Sequence, residues 1–126
     1  MEDFQRKARY VTGSHTTKPP AIITYASIVS REFVCIALTL AILNDLEVKT
    51  SDIQNAFLAS PAAEKISTIC GPEFGPDAGK QAILVQSLYG LKITGAAFHN
   101  HLADCMRILG YKPCLADQDL WYKIMV

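Results

Sequence analysis

Histidine and cysteine side chains lie close together along one stretch of the chain. His101 and Cys105 are four residues apart, and His99 and Cys114 are nearby in the sequence. Residues at i and i+4 share a helix face, and zinc accepts both histidine nitrogen and cysteine sulfur. A zinc site is therefore one interpretation, beside a core cysteine next to a surface histidine. The residues favour the second interpretation, because Cys105 also belongs to an apolar stripe and no C-x-x-C pair is present.

Asp52 places a carboxylate at the junction of two predicted elements. Apolar and charged side chains alternate along Leu46–Thr50, which predicts a short strand that ends close to Asp52. A brief helical turn is predicted at Asn55–Leu58, closed by Pro61. Because Asp is a favoured residue at the start of a helix, the residues alone favour a helix cap at Asp52 over a chemical role.

Two cations occur near the start of the chain. Lys7 and Arg9 are two residues apart, so on a strand they lie on the same face. Residues 1–18 carry four basic and two acidic side chains, whereas residues 31–65 carry three basic and five acidic ones. The residues alone favour an ordinary solvated basic stretch at Lys7 and Arg9.

The elements that position these residues follow from the hydrophobic pattern. An α-helix is predicted from an N-cap at Ser30 to Asn44, where it stops. A second amphipathic helix is predicted from Phe98 to Leu109, with Gly110 just past its end. The order β, α, β, short α, β, β, α, β predicts an α+β fold. The other predictions are a turn or linker at residues 14–20, strands at Ile66–Ile69, Ala82–Val85 and Trp121–Met125, and a loop at Gly71–Gly79.

The composition restricts the class of protein. The 126 residues include 12 basic and 12 acidic side chains, and half of the residues are apolar. This excludes a disordered tail and argues against a dedicated basic nucleic-acid module, although a local basic patch remains compatible with it. No N-terminal signal region is visible, and the apolar run Phe33–Leu43 is shorter than the roughly 20 residues that a bilayer requires. We expect an intracellular protein in a reducing compartment, with a core helix at Phe33–Leu43.

Four short segments and a tail stand in an order and spacing typical of one family. The segments are KARYVTG (Lys7–Gly13), TYASIVSRE (Thr24–Glu32), SDIQNAFL (Ser51–Leu58) and SLYGLK (Ser87–Lys92), and the tail is Leu109–Lys123. Together they resemble the reverse transcriptase of copia-type LTR retrotransposons. The resemblance covers about residues 7–123. SLYGLK is its most specific piece, because six specified positions with a central Gly rarely occur by chance.

The resemblance implies an architecture and an activity. It implies one partial, truncated α+β domain, the fingers and part of the palm of a right-hand polymerase, with about residues 7–50 fingers-like and about residues 51–126 palm- and fingers-like. It implies an RNA-directed DNA polymerase that uses Mg²⁺, an RNA or DNA template–primer and deoxynucleoside triphosphates. An intact element would also carry integrase and ribonuclease H portions in the same polyprotein, and no membrane partner is expected.

The resemblance also implies roles for individual residues. Asp52 matches the first catalytic aspartate of the family and would hold Mg²⁺, which prefers carboxylates at a rigid strand end. The main-chain groups of Ile53 and Gln54 would lie near the triphosphate. Lys7 and Arg9 match basic residues of the fingers and would grip the triphosphate.

The chain departs from the family pattern in three respects. Ile93 and Ala96 stand where the family usually has Gln and Arg near the nucleotide, which places a polar contact there in doubt. The paired aspartates of the family come downstream, and no Asp-Asp pair occurs in this sequence. The protease, integrase and ribonuclease H portions are absent. Polymerases clamp two metal ions, so we expect a fragment that is inactive by itself, with Asp52 an incomplete Mg²⁺ site.

Two further interpretations remain open beside the polymerase fragment. One is a catalytically dead remnant that acts only as a binding or interaction domain, since a partial palm would expose apolar surface. The other is an independent small enzyme, for which the sequence offers no G-x-S-x-G, Walker or H-E-x-x-H pattern. Tyr89 and Gly90 are expected to form a tight turn, and Tyr25 and Ser27 are assigned no chemical role.

Overall fold

The computed structural model describes residues 10–13, 18–21 and 24–125. Helices and short strands alternate along this part of the chain. In chain order the elements are α1 (Arg31–Leu43), α2 (Ala56–Ala59), β1 (Ser67–Ile69), a 3₁₀ helix (Pro72–Asp77), β2 (Gln81–Ile83), α3 (Thr94–Ile108), β3 (Lys112–Pro113) and β4 (Trp121–Tyr122).

The chain forms two compact units, each built from two stretches of sequence. Unit 1 contains Met1–Tyr25 and Asn55–Phe98, and unit 2 contains Ala26–Gln54 and His99–Val126. The boundary therefore falls inside α3. Segments that are distant in sequence meet within each unit, and their contacts determine where the residues of interest lie.

The predicted first helix is confirmed, together with both of its ends. The Ser30 hydroxyl accepts a hydrogen bond from the Phe33 N–H at 3.4 Å, as an N-cap does. At the other end, the side-chain amide of Asn44 donates to the Leu40 carbonyl at 2.8 Å. The first bond satisfies a backbone N–H that a helix leaves without a partner at its start, and the second adds to the bond that the Asn44 N–H makes with the same carbonyl. The helix α1 thus begins and ends at its polar flanking residues.

The expectation of a core helix at Phe33–Leu43 is wrong for this chain. Ala41 is the one buried residue of α1. Apolar side chains point outward on several sides, with Ile42 79% and Leu43 76% exposed. Neither α1, with 13 residues, nor any other helix in the described ranges has the length and hydropathy of a membrane span. The other exposed large apolar residues of α1 are Val34, Ile36, Leu38 and Leu40.

The predicted strand at Leu46–Thr50 is also wrong. Within the described residues, positions 47–53 make no backbone–backbone hydrogen bond, and no strand is assigned there. Leu46 is 61% and Val48 is 55% exposed, so neither alternating apolar side chain finds a core. A strand requires a hydrogen-bonded neighbour as well as an alternating pattern, and the described residues supply none here.

A β-hairpin in unit 1 confirms two of the predicted strands. β1 and β2 pair antiparallel, with Ser67 opposite Ile83 and Ile69 opposite Gln81. The predicted loop between them contains the 3₁₀ helix Pro72–Asp77. Proline at the start of this helix suits it, because proline has no N–H to leave without a partner.

The second long helix and the end of the chain form a small assembly in unit 2. Gly110 follows α3 with φ +84°, which confirms the predicted glycine stop. The strand predicted at Trp121–Met125 is present in its first two residues as β4, which pairs with β3. The Arg107 guanidinium lies 5.5 Å from the centre of the Trp121 ring, and Lys123 donates to the Leu109 carbonyl at 2.9 Å. These contacts hold the β3–β4 hairpin against the end of α3.

The core of unit 1 combines aliphatic and aromatic side chains. Leu91 is 6% and Ile93 is 2% exposed. The Phe57 ring centre lies 5.2 Å from that of Tyr89 and 5.9 Å from that of Phe98, both in inclined arrangements that aromatic pairs favour. Phe57 therefore connects α2, the Tyr89 turn and the start of α3.

Replacement of Phe57 by alanine is expected to lower the free energy of unfolding by about 2–3 kcal/mol, because two ring contacts and half-buried apolar area are lost. Urea denaturation measures the change. Phe74→Ala is the matched control: Phe74 is in the same unit but is 46% exposed, so its loss is expected below about 1 kcal/mol. Equal losses for the two variants would contradict this account of the core.

Candidate functional site

Asp52 lies in the segment that connects α1 to α2. It is exposed, and among the described residues it has no hydrogen bond or ion pair. The N-cap of α2 is Asn55, which makes no side-chain capping bond. The helix-cap interpretation of Asp52 is therefore wrong, and its carboxylate faces solvent. Ile53, 49% exposed, and Gln54 follow it at the surface.

Of the other residues that the resemblance assigns to the nucleotide, only Ile53 and Gln54 lie within the described part of the chain. Lys7 and Arg9 lie outside the described residues. Asp52, Ile53 and Gln54 are brought together only by being consecutive. The described ranges contain no group of three or more His, Cys, Asp or Glu side chains that could hold a metal ion.

The segment that follows Lys7 and Arg9 meets the SLYGLK turn. Val11 and Tyr89 form a parallel β-bridge. The Thr12 N–H donates to the Tyr89 carbonyl at 2.9 Å, and the Thr12 hydroxyl donates to the same oxygen at 3.1 Å. Two segments 77 residues apart are thus joined through backbone groups.

Gly90 is required by the closeness of this approach. Its φ is +91°, in the left-handed region, which confirms the predicted tight turn. A Cβ on residue 90 would lie 2.1 Å from the Thr12 carbonyl oxygen and 2.9 Å from a Val11 methyl group. Glycine at this position therefore serves backbone packing.

Small hydroxyl residues fix the remainder of the turn. Ser87 is only 1% exposed, and its hydroxyl donates to the Pro61 carbonyl at 3.1 Å. The Thr94 hydroxyl donates to the Leu88 carbonyl at 2.7 Å. The Ser87 hydroxyl joins its segment to Pro61, and the Thr94 hydroxyl bonds a carbonyl that also accepts from the Leu91 N–H at 3.4 Å. The SLYGLK residues thus act structurally in this chain.

The two residues that stand where the family usually has Gln and Arg are both buried. Ile93 is 2% exposed and Ala96 is 7% exposed. Apolar residues at these positions belong to the packing of unit 1, so in this chain they offer no polar group to a nucleotide.

An open cleft of about 810 Å³ lies in unit 1, beside the Tyr10–Gly13 segment. Lys18, Lys65 and Glu64 are its charged lining residues. Glu64 accepts a hydrogen bond from the Ala21 N–H at 2.9 Å. The described lining of the cleft thus carries two positive charges and one negative charge.

In unit 2, a group of polar side chains joins the segment before α1 to the turn before β4. His99 Nε2 lies 2.5 Å from Asp119 Oδ1 and 3.4 Å from the Ser27 hydroxyl. Asp117 Oδ2 accepts the Ser30 N–H at 3.1 Å. No chemical role was predicted for Ser27, Asp117 or Asp119. The available signal was the Asp-x-Asp spacing, which suits a side chain that accepts from the backbone two residues on.

Ser27, His99 and Asp119 do not form a hydrolytic relay. In such a relay the serine and the aspartate contact different nitrogens of the imidazole, so that a proton can pass across the ring. Here both partners lie on Nε2. The arrangement stabilises the fold locally and leaves the serine without an activating base.

Two of the candidate zinc ligands are in contact, but the described ranges contain no group of three or more His, Cys, Asp or Glu side chains that could hold a metal ion. His101 Nε2 and Cys105 Sγ are 3.8 Å apart on α3. His99 is engaged with Asp119 instead. The thiols of Cys35, Cys70, Cys105 and Cys114 are all free.

Comparison of the chain with protein-family models, with curated proteins and with solved structures finds no match in any of the three. Membership of the copia-type family therefore stays a prediction from the segments quoted above.

Proposed function

We propose that this chain is part of a copia-type reverse transcriptase domain, comprising the fingers and the first part of the palm, with Asp52 as its first catalytic carboxylate. The intact domain would be an RNA-directed DNA polymerase that acts on a template–primer and deoxynucleoside triphosphates. The observation that carries the proposal is the ordered set of segments, of which SLYGLK at Ser87–Lys92 is the most specific.

Contacts between these segments support the proposal. Within unit 1, Thr12 of the first segment donates a hydrogen bond to the Tyr89 carbonyl of SLYGLK, and the ring of Phe57 in the third segment packs on the Tyr89 ring. Within unit 2, the Ser30 N–H of the second segment donates a hydrogen bond to the Asp117 carboxylate of the tail. Several of the residues that carry the resemblance thus make long-range contacts with one another.

The described residues do not fit a complete two-metal centre. Two Mg²⁺ ions need several oxygen ligands between them, and a single carboxylate leaves most positions to water. In the described ranges, Asp52 belongs to no group of three or more His, Cys, Asp or Glu side chains that could hold a metal ion. This chain by itself is therefore not expected to polymerise DNA, and the remaining carboxylates of the proposed domain would come from the Asp-Asp hairpin.

The exposed segment after α1 suits the same proposal. Leu46 and Val48 alternate with charged residues but have no strand partner among the described residues. A palm strand from elsewhere in the intact domain would supply the missing hydrogen bonds and cover these side chains. Once paired with such a strand, the Leu46–Thr50 segment would hold Asp52 rigidly near its end.

The test begins with the nucleotide sequence beyond the codon for Val126. We expect an open reading frame that encodes an Asp-Asp hairpin, and a protein that includes it should extend a DNA primer on an RNA template in the presence of Mg²⁺. The same protein with Mg²⁺ chelated is the control. A reading frame without paired aspartates, or a folded longer protein that extends no primer, would overturn the proposal.

A second candidate function is an interaction domain without polymerase activity. The exposed apolar residues of α1, such as Ile42 and Leu43, favour it, since large exposed apolar patches mark association surfaces. Size-exclusion chromatography of the 126-residue chain separates the two candidates in part. A folded monomer at micromolar concentration would count against an interaction role for this surface.

A further inference from the structure

Two aspartates in the turn before β4 hold the residues that lead into α1. Asp117 Oδ2 accepts the Ser30 N–H at 3.1 Å, while its Oδ1 accepts the Asp119 N–H at 2.9 Å. Ser30 is also the N-cap of α1. The Asp117 carboxylate therefore orders its own turn and at the same time fixes the cap residue of a helix 87 residues away in the sequence.

Asp119 makes the second half of the connection. Its carboxylate Oδ1 lies 2.5 Å from His99 Nε2, and the Ser27 hydroxyl lies 3.4 Å from the same nitrogen. The Asp119 side chain is only 13% exposed, against 35% for His99. When Asp119 is ionised, its contact with His99 is a charge-assisted hydrogen bond. Protonation leaves one acceptor oxygen but removes the charge that strengthens the bond.

The neighbouring charged groups leave this connection undisturbed. Arg31 and Glu32 follow Ser30 in the first turn of α1, and neither forms an ion pair with the two aspartates. Among the described residues, His99 is the one titratable side chain in ion-pairing contact with Asp119. Other titratable groups of unit 2 have contacts of their own, among them Asp104 with Arg107, His101 with Cys105, and Lys123 with the Leu109 carbonyl.

We propose that Asp117, Asp119, Ser27, Ser30 and His99 form a carboxylate clasp that holds the entry to α1, and that neutralising Asp119 opens it. The open state releases residues 27–30 from the turn before β4 and frays the first turn of α1. The clasp stands on contacts within unit 2 and does not depend on the polymerase proposal, so either can fail without the other.

The ionisation of Asp119 supports this proposal. Hydrogen bonds from Ser27 and then from His99 lower the pKa of Asp119 below its ordinary value of 3.8, and they outweigh the opposing effect of burial. A carboxyl whose pKa is lower in the folded state contributes stability above its unfolded value. That stability is lost as the pH falls through the lowered value, so acid is expected to open the clasp.

Limited trypsin digestion near neutral pH tests the release of α1. Asp119→Asn removes the charge and keeps the size of the side chain, and we expect cleavage after Arg31 to become several-fold faster than in the unaltered chain. Cleavage after Arg107, in the same unit, should change little. Asp77→Asn is the matched control, because Asp77 is an exposed carboxylate of unit 1 paired with Lys80. Equal acceleration at Arg31 and Arg107, or none at Arg31, would overturn the clasp.

A milder variant keeps the test decisive if Asp119→Asn does not fold. Ser27→Ala retains the carboxylate and removes one donor, which raises the pKa of Asp119 toward its ordinary value. Trp121 is the only tryptophan of the chain and lies two residues after Asp119, so its fluorescence reports on the turn. The acid transition followed by this signal should move to higher pH in Ser27→Ala. An unchanged transition would show that Ser27 and Asp119 are not coupled and would overturn the proposal.

Discussion

Replacement of Gly90 by alanine is expected to lower the free energy of unfolding by about 3–4 kcal/mol, one of the largest effects available to a single substitution in this chain. Two costs add. The left-handed φ of +91° disfavours any residue with a side chain, and the new Cβ would lie 2.1 Å from the Thr12 carbonyl oxygen. This oxygen belongs to the backbone, so it cannot move without breaking the contact between Thr12 and Tyr89.

Gly79→Ala separates these two costs. Gly79 also has a left-handed φ, +81°, but a Cβ there would meet nothing within 4 Å. Its loss should be limited to the conformational cost of about 1 kcal/mol. Urea denaturation of both variants measures the difference. If Gly90→Ala were no worse than Gly79→Ala, the close approach of the two segments would be refuted.

The second large effect concerns catalysis by the longer protein. In a protein that includes the Asp-Asp hairpin, Asp52→Asn is expected to reduce primer extension at least about 10²–10³-fold, because a neutral amide is a poor ligand for Mg²⁺ and leaves transition-state charge uncompensated. The stability of the protein should change by less than about 0.5 kcal/mol. Asp52 is exposed and has no partner in the described part of the chain, so it contributes little to the fold.

Asp45→Asn is the control for this substitution. Asp45 is an exposed carboxylate of the same unit, with no assigned role. Its φ of +51° suits asparagine well, so the change should leave both folding and primer extension intact. Primer extension and thermal unfolding measured side by side distinguish a catalytic loss from a folding loss. Undiminished extension by Asp52→Asn would remove Asp52 from the proposed mechanism.

The helices show what can be predicted from local chemistry. α1 begins after the Ser30 cap and ends before Asn44, and α3 stops before Gly110. These ends depend on side chains that bond the nearest backbone groups, or on a glycine that adopts a left-handed φ. Such effects act over a few residues, so a single sequence contains them in full.

The strands and the surfaces of the helices could not be predicted in the same way. Leu46–Thr50 has the alternation of a strand but lacks a partner among the described residues, whereas Lys112–Pro113 pairs with Trp121–Tyr122 despite its proline. α1 has the composition of a core helix and exposes most of its apolar side chains. Strand pairing and burial depend on which distant segment comes close, and periodicity carries no information about that.

The features of the candidate site also differ in whether local sequence or tertiary structure determines them. The sequence by itself determined the polar carboxylate at Asp52, the glycine turn at Gly90 and the order of the segments that resemble a reverse transcriptase. Only the tertiary structure decided that Asp52 caps no helix, that Gly90 faces the Thr12 carbonyl, and that two aspartates hold the entry to α1. The physical reason is distance along the chain: each of the last two results needs hydrogen-bonding or van der Waals contact between residues far apart in sequence, which forms only when the chain is folded.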